Sequence, residues 1–183
     1  MKNVAVCIAS GPSLNVEHIE IVRMFDVFTI TVNSSWMIMP DCNVIYAGDY
    51  KWWVENYYCI DSPAEKWSCS HQAVDEFDLN YHCATGAYNS GLRAIQFAIS
   101  LGFFEVILLG YDCSLGNGVH WHGEHQSLRN PTNKSIQMWQ RQFMSLSANL
   151  KERGVNVFNC SPSSKLSCFE KKNLYNTLTY LIF

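Results

Sequence analysis

A chain of 183 residues with 48% hydrophobic and 16% charged side chains has the composition of a folded domain and the length to bury a sizeable core. A net charge of −3 and a pI near 6.0 lack the basic footprint of a protein that holds nucleic acid by its phosphates. Eight cysteines without a CxxC pair argue against a disulfide framework or zinc knuckle; behind an N-terminus (MKNVAVCIASGPSL) that runs straight into a turn, they read as reduced thiols in a cytoplasmic protein.

Residues 3–9 (NVAVCIA) form an apolar, β-branched run that predicts a buried strand at the start of the chain. It feeds into Ser10-Gly11-Pro12-Ser13-Leu14, the place where nucleotide-binding α/β folds present helix-start amides to a phosphate. The turn is neither GxGxxG nor a Walker loop, so a plain tight turn explains its glycine and proline equally well. A first helix is predicted over 16–24 with Asn15 as its N-cap, then a strand over 26–33 ending at Asn33-Ser34, and a third over 43–47 ending at Gly48-Asp49. Trp52 and Trp53 follow in an aromatic segment over 50–58, where core packing competes with stacking of Trp53 on a base or sugar. Residues 61–83 are less regular, with short strands predicted at 66–70 and 77–81.

The most organised stretch is NSGLRAIQFAISLGFFEVILLGYD. Asn89, Ser90 and Gly91 open a helix over 90–101, Gly102 stops it, and residues 105–109 form an unbroken apolar strand of the kind covered on both faces of a parallel sheet. The strand ends in Gly110-Tyr111-Asp112. Gln96, Ser100, Gly102 and Glu105 interrupt the apolar region, so no membrane span is expected. Next comes a loop with Gly116-Asn117-Gly118 and the histidines His120, His122 and His125. HxHxxH in a loop lacks the helical face that HExxH gives zinc, whereas imidazole in a glycine-flanked loop suits general acid or base work near neutral pH. Ile136, Trp139, Phe143, Leu146 and Leu150 then mark one apolar helical stripe, Gly154 ends it, and 155–159 read as a further strand. The tail over 165–183 is predicted as a short helix whose end, LTYLIF, would cover a sheet edge or join two copies in a homo-oligomer. The pattern is a single α/β, Rossmann-like domain over 1–183, with a mostly parallel sheet flanked by helices. Gly11, Ser13, Asn33, Asp49 and Asp112 would share the rim formed by the carboxyl ends of its strands, where such sheets bind ligands.

Four of these segments resemble the Rossmann-like group of bacterial lipooligosaccharide sialyltransferases (glycosyltransferase family 42) and the related 6-hydroxymethylpterin diphosphokinase-like domains: SGPSL, the Asn33 strand end, the stretch from Asn89 to Asp112, and the final strand running into Cys160-Ser161-Pro162-Ser163. Short versions with an HWHGEH-like loop resemble bacteriophage proteins. The resemblance implies a metal-independent transferase taking a nucleotide-sugar such as a CMP-sugar, with the donor against Ser10, Gly11, Pro12, Ser13, Asn33, Ser34, Ser90 and Gly91. It also implies a histidine general base, His125 before His122, with His120 on the substrate, and Tyr111 assisting the leaving phosphate. Ser10 replaces the family's Asn, and Asp49 stands where those enzymes have Asn-Pro and would repel a phosphate. Two alternatives stay open: Mg²⁺-dependent pyrophosphoryl transfer with the ion on Asp49 and Asp112, and a non-enzymatic nucleotide-binding module.

Overall fold

The computed structural model describes residues 3–123 and 130–183. Among the described residues, eight strands form one parallel sheet in the order β5-β4-β3-β2-β1-β6-β7-β8. They are β1 (Val4–Ile8), β2 (Phe28–Val32), β3 (Val44–Tyr46), β4 (Glu65–Ser68), β5 (Asn80–Tyr81), β6 (Glu105–Leu109), β7 (Asn156–Asn159) and β8 (Glu170–Lys171). Six helices flank the sheet among the described residues: α1 (Val16–Arg23), α2 (Tyr50–Asn56), α3 (His71–Phe77), α4 (Ser90–Ser100), α5 (Asn133–Glu152) and α6 (Leu174–Ile182). The fold is α/β and Rossmann-like. No helix of the described residues is long and apolar enough to cross a membrane.

Alternation along the central strands sorts the core into two layers. Val4, Val6 and Ile8 of β1 with Ile107 and Leu109 of β6 face α1, α2, α3 and α6, while Ala5, Cys7, Val106 and Leu108 face α4 and α5. Both faces are covered, so β1 and β6 are apolar throughout. The chain runs outward from β1 to β5, then returns through α4 to pair β6 with β1, Val4 opposite Glu105 and Ile8 opposite Leu109. Strand order therefore reverses between β1 and β6, and a crevice opens beyond their carboxyl ends.

Local signals account for the helix boundaries. Asn15 caps α1 by accepting from His18 N–H, Asn89 caps α4 by accepting from Leu92 N–H, and Thr132 forms a capping box with Ser135 at the start of α5. The region predicted as strand over 77–81 differs. Ser70 caps a seven-residue helix through Ala73 N–H, Phe77 buries itself at the end of that helix, and Asp78 reverses the chain at φ 52°, which leaves only Asn80–Tyr81 as strand. The tail is also more than a helix, because Glu170–Lys171 pairs with β7 before α6 begins.

Candidate functional site

At the crevice the end of β1 and the end of β6 are stitched together. Ala9 N–H donates to Leu109 O and Gly11 N–H to Gly110 O, each at 2.8 Å. A Cβ on Gly11 would collide with Gly110 O and with Asp112 Oδ2, so only glycine allows this approach. Asp112 is 2% exposed. Its Oδ2 accepts from Ser13 N–H at 3.1 Å and from Ser13 Oγ–H at 2.8 Å, while its Oδ1 is buried without a hydrogen-bond partner.

This arrangement changes the role of the SGPSL turn. Gly11 N–H is bonded to Gly110 O, Pro12 has no N–H, Ser13 N–H is bonded to Asp112, and Leu14 N–H is bonded to Gly11 O. A carboxylate of the chain itself occupies the position where a phosphate was expected. The turn holds Asp112 rather than a ligand anion.

Beyond it lies a cavity of about 140 Å³, roughly the size of one six-membered ring. Ser10, Gly11, Pro12, Asn33, Asp112 and His120 supply its polar side. Asn89, Ser90 and Gly91 bring in the first turn of α4, where the Ser90 and Gly91 amides have no intrahelical acceptor and the helix dipole favours negative charge. Asn33 sits at φ 51°, and its Oδ1 is buried without a hydrogen-bond partner. The Ser90 side chain accepts from Gly48 N–H at 2.9 Å and so ties the end of β3 to α4.

The opposite wall was not anticipated. Ile136, Trp139 and Phe143 of α5, with Leu115, Val119 and Leu166, make the cavity amphipathic. Their helical spacing marks an apolar stripe in the sequence, but the spacing does not show that Ile136, Trp139 and Phe143 face a cavity. At 20 residues α5 is about 30 Å long, well beyond the span of strands of four or five residues, so its N-terminal turns overhang the rim.

His120 reaches the cavity from the loop after β6, with Nδ1 3.0 Å from Ser10 Oγ, and Trp121 N–H donates to Ser10 O at 3.0 Å. Two bonds thus tether the loop to the end of β1. His122 stacks on His120, ring centroids 5.1 Å apart, and Trp121 between them packs against the core. His125, the histidine favoured from sequence, lies outside the described residues.

Several expected site residues prove to be structural. Trp53 is fully buried and donates from Nε1 to Ala47 O at 2.9 Å, so no ligand can stack on it. Ser34 is buried behind the rim and accepts from Trp52 Nε1–H. Asp49 ends β3 on an exposed part of the same rim but does not line the cavity that contains Asp112, so the two carboxylates do not share one ion site there. Tyr111 lines the cavity, yet its hydroxyl donates to Gly91 O at 2.9 Å and burial pushes its pKa well above the usual phenol value. That phenol braces α4 against β6 instead of being presented to a leaving phosphate.

Fold and site together define an α/β protein with a ring-sized, amphipathic cavity at the topological switch point of a parallel sheet. Comparison with protein-family models, curated proteins and solved structures finds no match to this chain.

Proposed function

We propose that the chain is a transferase that takes a nucleotide-activated sugar, such as a CMP-sugar, and passes the sugar to an acceptor hydroxyl with a loop histidine as general base. The observation that carries this reading is His120, set across a ring-sized cavity from the first turn of α4 with Nδ1 3.0 Å from Ser10 Oγ. When Nδ1–H donates to Ser10, Nε2 is the basic nitrogen, and it takes the acceptor proton as the acceptor oxygen bonds to the anomeric carbon. The bond from that carbon to the phosphate oxygen breaks, and the nucleoside monophosphate leaves with its charge against the Ser90 and Gly91 amides. No step calls on a metal. A cytoplasmic setting, and an origin in a bacteriophage, belong to the same reading.

Donor hydrolysis and transfer with CMP-sugars, run in EDTA, test it. H120A should lower turnover about 10²- to 10⁴-fold with donor binding kept. Loss on H125A with H120A active would move the base to His125 and leave the Ser10–His120 pair as a tether. Activity that appears only with Mg²⁺ and a nucleoside triphosphate would overturn the reading in favour of pyrophosphoryl transfer.

A further inference from the structure

A second cavity, of about 200 Å³, lies between the C-terminal halves of α4 and α5 and the segment that follows β5. It shares no lining residue with the cavity at the switch point. His82 lines it and is only 6% exposed, its ring packed edge-on against Tyr46 and Phe97. Its Nδ1 lies 2.8 Å from the Tyr46 hydroxyl, while Nε2 bonds to no described residue and is still reached by solvent. Burial, with Arg93 adding to it, disfavours charge on the imidazole, and burial keeps the Tyr46 phenol protonated. The tautomer that pairs the phenol's hydrogen with Nδ1 leaves Nε2–H as a donor towards the cavity. Gln96 lines the same cavity with its Oε1 buried and unpartnered, so its amide nitrogen is the end left in reach. Arg153 supplies charge: among the described residues it forms no ion pair, and no carboxylate lines the cavity beside it. As the C-cap of α5, Arg153 meets roughly half a negative charge from the helix end, which leaves the cavity net positive. Ile99, Leu146 and Leu150 give the lining its apolar part.

We propose that this cavity is a second ligand site, which takes a small organic anion: a carboxylate or phosphate group on a body of about one ring. The oxyanion meets the Arg153 guanidinium, whose planar fork suits either group, together with His82 Nε2–H and the Gln96 amide. The body lies against Ile99, Leu146 and Leu150. The site stands apart from the transferase reading, since none of its residues takes part in that chemistry.

The test is NMR of the full chain with ¹⁵N-labelled histidine, at low salt, titrated with phenyl phosphate, with benzoate and with benzyl alcohol as the neutral control. The His82 ring signals are assigned through their contacts with the Tyr46 and Phe97 rings. At least one of the two anions should shift them at millimolar concentration while benzyl alcohol does not, and the anion that binds more tightly tells phosphate from carboxylate. R153Q should weaken that binding about ten- to a hundredfold, the usual value of a hydrogen bond to a charged group. Several results would overturn the site: no shift of His82 with either anion, a shift confined to His120, an equal response to benzyl alcohol, or binding undiminished in R153Q. The titration of the unaltered chain decides the matter even where R153Q does not fold.

Discussion

Gly11→Ala is the substitution that most directly probes the joint between β1 and β6. The new methyl group would overlap Gly110 O and Asp112 Oδ2, and neither can swing away. Gly110 O is main chain and is already bonded to Gly11 N–H, and Asp112 Oδ2 is fixed by two bonds from Ser13. Overpacking of this kind costs about 1–3 kcal/mol, and weakening the charge-assisted bonds to Asp112 adds to it, so the expected loss is about 2–4 kcal/mol. For a chain of this size that corresponds to a fall in Tm on the order of 5–15 °C. Urea unfolding followed by tryptophan fluorescence measures it, with Gly116→Ala as control, since a Cβ there meets only Ser114 Oγ at 3.5 Å. The new methyl group would also reshape the cavity wall that Gly11 and Asp112 form. A Gly11→Ala chain as stable as the parent would refute the close approach of the two strand ends and, with it, the account of how Asp112 is held.

Two further outcomes follow from burial. Burial lowers the pKa of His82, with the nearby Arg93 adding to the effect, and burial also lowers that of His18, both from an ordinary 6.5. The unfolded chain therefore binds more protons as pH drops below about 6.5, so stability is full above that value and declines as pH falls towards the folded-state pKa values; urea midpoints between pH 5 and 7 should show the slope, and H82Q should flatten it. Thiol labelling should divide the cysteines: exposed Cys59 and Cys83 react in the native state, whereas Cys7, whose pKa burial pushes up to about 12, and Cys42 and Cys160 react only on unfolding. Native-state labelling of Cys7 would contradict the packing of β1 against α4.

Much of this architecture could be read before the fold was known, because strands buried on both faces advertise themselves as unbroken apolar runs and the helices α1, α4 and α5 carry both caps and stripes. The rim residues were legible for the same reason: in a parallel sheet every strand ends on the same side. What escaped were relations between distant residues. Nothing in SGPSL reveals that its Ser13 amide is taken by a carboxylate 99 positions away, and the short helix α3 shows too little periodicity to be told from a strand. The tryptophan pair illustrates a different limit, since aromatic composition suits a stacking platform and a core equally, and only the bond from Trp53 Nε1 to Ala47 O assigns it to the core.

The pairing of β1 with β6 joins residues about a hundred positions apart, Val4 with Glu105. During synthesis the first strand has only one of its two neighbours until the sixth emerges, and the cavity has no floor before residue 112 is made. Pairings of such long range are paid for in loop-closure entropy and form slowly. Ligand binding by a growing or refolding chain would therefore report completion of this central pairing, and a bound ligand would act as a clamp across the seam where the two halves of the sheet meet.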